Sequence, residues 1–593
     1  MVKTEMKYGN YVLTGILLGA LLSACGSSNK EVSQANSVET AAASEAGDVV
    51  IVSWNDFHAG IFEVLGKNGR ATGGLPWFMS AIRHAASTAK YSVLLDGGDM
   101  FQGNKLINDS KGLGSIEIMN ALGVDATTIG NHEFDYGSSP ANSDPLRGAM
   151  THAMSQSHFP WVSANVVPDN PPADSPWPPE YLKPWVMIEK GPYHIAVLGI
   201  STVETMTTTT TSRLEGLRFE PAAETVQKWI PEIAKENPDF TVVLGHLSGT
   251  CEKTQNADEP CVFDGEIADI LNLPDEILSH IDIMVTGHSH FSMLETRKGV
   301  VISQNASSGR EITTFHLVPR DGRLVLDEAR VPSKWKLEHA AVDPGCGGDE
   351  FPMAATDVGG IMIEPAADAL DIIHNLENNG SDRCDVLGCV EAPLMREKNG
   401  ECPLGNFVAD AMRNHDSRAE LAIQNSGGLR INLMKDKLFR EDLDGLMPFE
   451  NFCDLVEMSG SDLARMLKLS LVDTHGMLQV SGMTYDFVPN CNNPEDLNGD
   501  GVIAPGEHNC LCSVTVNGVP LDESRMYKVS INSFLFEGGD GLQDAFKNSQ
   551  LIERGPVIKS VINDYVKGYG ACLSRDRLVD KAHPRIRKLD ACE

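Results

Sequence analysis

Five times along this chain a strand-length apolar run stops at Asp, His or Asn: VVIVSWNDFH (49–58), SVLLDGGD (92–99), ATTIGNHEFD (126–135), TVVLGHLSG (241–249) and IDIMVTGHSH (281–290). The runs are aliphatic or β-branched without polar alternation, the pattern of strands buried on both faces. Helix-patterned stretches lie between them. Strands alternating with helices predict a layered α/β (α+β) architecture, in which ligands gather beyond the carboxyl ends of the strands.

Those ends carry a coherent donor set. In extended backbone, residues two apart share a face, so Asp56 and His58 are expected to grip one ion, and His288 and His290 to do the same. Asp99 follows Gly97-Gly98, where backbone can approach closely, and its carboxylate can bridge two ions. Asn131 adds an amide oxygen and His246 another imidazole. Two carboxylates, one amide oxygen and four imidazoles suit a pair of divalent transition ions such as Zn, Mn or Co. A lone DFH or GHL is an ordinary loop; five such pieces at successive strand ends are not.

The rest of the composition sets the context. A chain of 593 residues with 42% hydrophobic residues exceeds one ordinary core, so two large domains are expected. Forty-eight Lys and Arg against 82 Asp and Glu leave a net charge of −34, which repels nucleic acid and anionic membranes. An anionic substrate must then be met locally, by metal ions or a few arginines. Lys3 and Lys7 precede a short apolar stretch, Tyr11 to Leu22, which ends in Leu22-Ser23-Ala24-Cys25. This resembles a lipoprotein signal over 1–24 with Cys25 lipidated, so that the chain is exported and meets a membrane only through that lipid. Loss of residues 1–24 removes Lys3, Lys7 and Glu5, a net +1, and takes −34 to −35. Residues 25–47, rich in Ser, Ala, Asn and Glu, read as a flexible tether. Thirteen cysteines less Cys25 leave twelve, an even number expected to form disulfides after export, with Cys251/Cys261, Cys384/Cys389 and Cys572/Cys592 as candidate local clips.

GGDMFQG, GNHEFDYG, GHLSG and GHSH resemble the motifs of the calcineurin-like metallophosphoesterases, and within them the exported bacterial 5′-nucleotidase and UDP-sugar hydrolase group. The resemblance implies a metallophosphoesterase domain over 48–335, a four-layer β-sandwich flanked by helices that closes with VISQNASSGR (301–310). It further implies a linker with an interdomain helix over 336–378 and a second α/β, substrate-binding domain of the 5′-nucleotidase C-terminal type over 379–593. By motif, Asp56, His58, Asp99 and His290 would hold one ion, and Asp99, Asn131, His246 and His288 the other. His132 would be a catalytic histidine that binds no metal, oriented by Asp135; as an imidazolium it would stabilise charge developing in the transition state. Ser53-Trp54 and Ala59 depart from the pattern of many relatives without touching a ligand position.

In the second domain, ECPLGNFVADAM (401–412) opens an amphipathic helix, LAIQNSGGLR (421–430) ends a strand in a glycine turn, and MPFENF (447–452) and NSFLFEGGDG (532–541) bring aromatics to polar turns. The resemblance makes Phe449 and Phe534 a pair that sandwiches a nucleobase, with Asn451 at the base, Asp540 at the ribose, and Asn425 and Arg430 at sugar and phosphates. A further cation in MREKNGE is either Arg396 or Lys398. A hinge rotation would then carry the nucleotide to the metals. DLNGDGVIAPGE (496–507) matches a calcium loop, with Asp496, Asn498, Asp500, the Val502 carbonyl and Glu507 as ligands, inside a cysteine-flanked insertion at 491–512. The implied activity is metal-dependent 5′-nucleotidase chemistry outside the cytoplasm, extending to UDP-sugars or other pyrophosphates. The alternatives are a 2′,3′-cyclic-nucleotide phosphodiesterase/3′-nucleotidase, a thiosulfohydrolase, or a non-catalytic surface binding module.

Overall fold

The computed structural model describes residues 46–592 apart from short stretches at 66–69, 253–259, 341–345, 347–354, 359–360, 378–381, 435, 473–475, 492–493 and 498–504. Residues from Gly47 onward form one compact unit. Its first half stacks two sheets. In one, the parallel strands Val49–Trp54, Tyr91–Asp96, Ala126–Thr128, Trp161–Val162 and Leu182–Lys183 run side by side, with Glu311–Arg320 antiparallel beyond Val49–Trp54. In the other, Tyr193–Ser201, Phe240–His246, Ile283–Thr286 and Val300–Gln304 are parallel, flanked by antiparallel edges. Val49, Ile51, Val93 and Leu95 of the first sheet meet Val197, Val242, Leu244 and Ile283 of the second in one apolar layer. The outer face of each sheet is covered by helices, Leu75–Ala86 and Leu113–Leu122 on one side and Ala222–Ala234 on the other. The result is the four-layer sandwich. The strands Val49–Trp54, Phe240–His246 and Ile283–Thr286 are buried throughout, as unbroken apolar runs require.

Leu337, Val358 and Ile363 join the core of this first half, as do Ala369, Ile372, Ile373 and Leu376 of the helix Ala367–Glu377. Beyond it, a second set of elements surrounds a five-stranded sheet in the order Gln479–Ser481, Leu421–Gln424, Met526–Asn532, Cys453–Ser459 and Gln550–Glu553. The helices Pro403–His415 and Ile558–Gly568 pack on one side, and Gly460–Val472 on the other.

The cysteines correct the expected pairing. Cys251 does bond Cys261, but Cys384 bonds Cys346 and Cys389 bonds Cys572, while Cys592 bonds Cys512 and Cys491 bonds Cys510. Nearness in sequence fails because Cys389 and Cys572 sit where Val390 and Leu573 form a bridge, a juxtaposition set by the fold. Cys402 and Cys453 are reduced and buried, so not all twelve pair.

Candidate active site

His246 is the last residue of the strand Phe240–His246, while the other predicted ligands lie just past strand ends and outside extended backbone. Asp56, His58, Asp99, His288 and His290 all have positive φ, between 44° and 73°. Such conformations cost about 1–3 kcal/mol each at a non-glycine residue and persist where the surroundings over-determine them. Here Asp56 N donates to Gly98 O at 2.9 Å, His58 N to Asp99 O at 3.0 Å, and His288 N to the Asp56 carboxylate at 3.0 Å. Asn55 braces Asp56 further, donating to its Oδ2 at 2.6 Å while accepting from Asn305 N at 2.7 Å. Gly130 is needed for space, since a Cβ there would lie 2.1 Å from Asp99 Oδ1.

These turns overturn the reading of His288 and His290 as joint ligands of one ion. Left-handed backbone swings them apart, His290 toward Asp56 and His58, and His288 toward Asp99 and His246. In the first group, His290 Nε2 lies 3.2 Å from Asp56 Oδ1 and 3.1 Å from His58 Nε2. In the second, His246 Nε2 lies 3.1 Å from Asp99 Oδ2 and 3.3 Å from Asn131 Oδ1, and His288 Nδ1 is 3.0 Å from Asn131 Oδ1. Asp99 Oδ2 faces both groups, at 3.7 Å from His58 Nε2. Donors about 2.0–2.2 Å from a shared tetrahedral ion stand about 3.4 Å from one another, close to this spacing.

The histidine tautomers are set by what each outer ring nitrogen faces. His246 Nδ1 faces the Gly97 carbonyl at 2.9 Å and must donate to it, which leaves the Nε2 lone pair aimed at the oxygens of Asp99 and Asn131. His288 Nε2 faces Glu204 Oε2 at 3.0 Å, which leaves its Nδ1 lone pair on Asn131 Oδ1. A neutral ring would aim a lone pair at oxygens, so these contacts call for positive charge between them, a proton in the bare site or a cation in its place. Burial works against it, yet Asp99 and Asp56 push His246 up to about 10. Against the same burial, His246 and His132 hold Asp99 well below the usual carboxylate range. The seven donors therefore fit two divalent cations sharing Asp99.

His132 stands beside this cluster. Its Nδ1 is 2.7 Å from Asp135 Oδ2, and its Nε2 faces Asp99 Oδ2 at 4.0 Å. Burial opposes protonation, but Asp135 and Asp99 raise the imidazole above its ordinary value. Across from it, the Phe449 ring lies 5.7 Å from His132 centroid to centroid, with the Arg430 guanidinium 5.8 Å over the same ring. Burial lowers the Arg430 value, while Asp99, Asp135 and Asp56 oppose that fall. Arg396 donates to the Arg430 carbonyl at 2.8 Å and its buried Nε has no hydrogen-bond partner among the described residues; burial and Arg430 bring it down to about 10. Asn425 Nδ2 donates to Asp540 Oδ2 at 2.8 Å, and Phe534 lies against the Gly539 backbone. Asn451 sits two residues past Phe449, where its carbonyl accepts from Ile558 N at 2.9 Å. Cys25 and the loop positions Asn498, Asp500 and Val502 lie outside the described residues; Glu507 is buried and accepts from Leu497 N at 2.8 Å, 11 residues after the exposed Asp496.

Two carboxylates escaped the sequence reading. Glu133, inside GNHEFD, accepts from four backbone amides: Asp99, Met100, Phe101 and Gly130. Glu204 follows the strand Tyr193–Ser201, a further apolar run ending in polar residues, and the same rule applied there would have found it.

Residues 50–292 match the calcineurin-like phosphoesterase family and residues 385–548 the 5′-nucleotidase C-terminal domain. A snake venom 5′-nucleotidase of Naja atra is 25% identical over 561 residues, 88% of this chain and 96% of that protein. The trifunctional nucleotide phosphoesterase YfkN of Bacillus subtilis is 24% identical over 91% of this chain, which spans 35% of YfkN. The crystal structure of a 5′-nucleotidase precursor from Thermus thermophilus superposes with a TM-score of 0.71 at 20% identity, covering 92% of this chain and all of that one. With its strand-end motifs, its two-layered sheets and a match in each half, this chain is a hydrolase that belongs to the calcineurin-like phosphoesterases carrying a 5′-nucleotidase C-terminal domain.

Proposed function

We propose that the protein hydrolyses nucleoside 5′-monophosphates outside the cytoplasm. The observation that carries this is the facing of Arg430 and Phe449 against His132 and the seven donor side chains. Asp56, His58 and His290 would hold one divalent cation, Asn131, His246 and His288 the other, and Asp99 both. When bound, such a pair supplies a nucleophilic hydroxide near neutral pH and offsets phosphoryl charge. Asp135 keeps the His132 proton on Nδ1 and favours the imidazolium, so that Nε2–H can donate to an oxygen gaining charge in the transition state. Arg430, with Arg396 rather than Lys398 beside it, meets the substrate's phosphate with forked donors. Phe449 and Phe534 take the base by stacking, which is tolerant of base identity and is worth roughly 1–3 kcal/mol per base. Asn451 meets the base, and Asn425 and Asp540 the ribose.

In this reading 48–335 is the catalytic domain, 336–378 the connection and 379–593 the substrate domain. Cys25 carries a lipid that holds the enzyme at the cell envelope, a placement supported by the leader and by the five disulfides. The insertion at 496–507 takes one Ca²⁺. The likeness to YfkN, a trifunctional nucleotide phosphoesterase, supports hydrolysis of more than one class of nucleotide phosphoester. Phosphate release from AMP, 2′,3′-cyclic AMP and UDP-glucose, with and without chelator, tests the proposal. Chelator-sensitive release from AMP is expected; release from none of the three would refute it.

A further inference from the structure

The chain after the strand Tyr193–Ser201 touches both halves of the protein beside the metal-side cluster. Val203 N donates to Glu266 Oε1 at 3.0 Å, and Glu266 Oε2 accepts from Ser248 N, two residues past His246. Thr209 Oγ1 donates to the Asn131 carbonyl at 2.9 Å, and Thr211 Oγ1 to the Glu537 carbonyl at 3.2 Å. The short helix Thr205–Thr208 packs on the turn Gly539–Gly541, which carries Asp540. At the head of that helix, Glu204 Oε2 lies 3.0 Å from His288 Nε2.

We propose that Glu204 is a positioning residue for the cation assigned to Asn131, His246 and His288, acting through His288. This rests on the two-ion reading above. An imidazole that donates one ring N–H to a carboxylate has its tautomer and ring angle fixed, and its other nitrogen is made a better ligand. His288 has that arrangement, with Nε2 on Glu204 and Nδ1 turned to Asn131 Oδ1. Its neighbour His246 is fixed instead by a neutral carbonyl, that of Gly97. Glu204 is thus a carboxylate that fixes one histidine ligand of this ion directly. Its side chain is 41% exposed against 12% for His288, so the contact sits at the rim of the site and not in its floor. Four anchors on either side of Glu204, at Val203, Thr205–Thr208, Thr209 and Thr211, hold the carboxylate at that rim. Their number explains how a partly exposed side chain can serve as a fixed orienting group.

Cobalt titration of the full chain stripped of metal, followed by visible absorption and by counting bound Co²⁺ after desalting, separates the outcomes. The wild type is expected to bind two ions. Glu204→Ala should weaken one of them by about 10–100-fold and leave the other as it was. Glu204→Gln, which can still accept from Nε2–H without the charge, should recover part of the loss, and kcat should fall in both variants with KM little changed. Two ions held with wild-type affinity by Glu204→Ala would overturn the assignment, as would equal weakening of both ions or a Glu204→Gln variant weaker than Glu204→Ala. If the alanine variant does not fold, judged by circular dichroism, the glutamine variant alone decides: wild-type affinity for both ions then overturns it, and selective weakening of one supports it. A wild type that binds no pair of ions would instead overturn the two-ion reading itself.

Discussion

Glu133→Gln tests whether the site is held from beneath by one buried carboxylate. In the folded chain Oε1 accepts from Met100 N at 2.9 Å and Phe101 N at 3.2 Å, while Oε2 accepts from Asp99 N at 3.0 Å and Gly130 N at 2.7 Å. Glutamine has nearly the same shape but one acceptor oxygen, so two of the four amides keep a partner and two face an NH₂ group. A buried donor left without an acceptor costs about 1–3 kcal/mol, which puts the gross loss at about 2–6 kcal/mol. Some of this is recovered, because burial and Asp99 already hold the Glu133 carboxyl up at about 7 and the substitution removes a disfavoured charge. A net loss of about 2–4 kcal/mol should lower Tm by roughly 2–4 °C, because an unfolding entropy of about 2.1 cal/mol/K per residue is large for a unit of this size. The donors affected belong to Asp99 and to Gly130, against which the Asp99 carboxylate rests, so cation affinity should fall together with Tm. Differential scanning calorimetry of the metal-stripped protein and Mn²⁺ titration measure the two effects. A Tm within about 0.5 °C of wild type would refute the reasoning, since it would mean that two buried amides can lose their acceptor at almost no cost.

His132→Ala should retain both cations by mass spectrometric metal analysis while kcat for AMP falls about 10²–10⁴-fold, the range for a lost transition-state donor or general acid; undiminished turnover would remove its role. A chain starting at Gly26 should show two thiols to a disulfide reagent in denaturant and almost none when folded, because Cys402 is 0% and Cys453 4% exposed and burial pushes the Cys453 thiol up to about 11. More than two thiols would contradict the five disulfides. Thr211 and Glu537 meet across the two halves, so a disulfide between Thr211→Cys and Glu537→Cys should suppress turnover relative to either single variant if the substrate travels on a rotating domain. An active cross-linked enzyme would refute that rotation. Calorimetry should detect Ca²⁺ binding that Asp500→Ala abolishes, and an absence of heat from the wild type removes the calcium loop.

The donor set was legible because each donor follows an apolar run, and a run buried on both faces leaves its polar residues only the ends. What the strands could not convey was direction past those ends. Extending the two-residue alternation beyond Thr286 put His288 and His290 on one ion; the chain turns left-handed there instead, and positive φ at a histidine is not written in local propensity. Tertiary bonds impose it, as when the Asp56 carboxylate accepts from His288 N 232 residues away. Cysteine pairing was hidden for the same reason. The bond between Cys389 and Cys572 spans 183 residues, and nothing near either cysteine marks the other. Glu133 and Glu204 show a different limit. Neither lies in a donor group among the described residues, so a reading that asks which residues can hold an ion passes over them. One serves the backbone amides that place Asp99, and the other serves the far side of His288. A second question, how each ligand's remaining polar atoms are satisfied, leads to both, because a buried imidazole with two nitrogens and a buried loop with free amides must each find a partner.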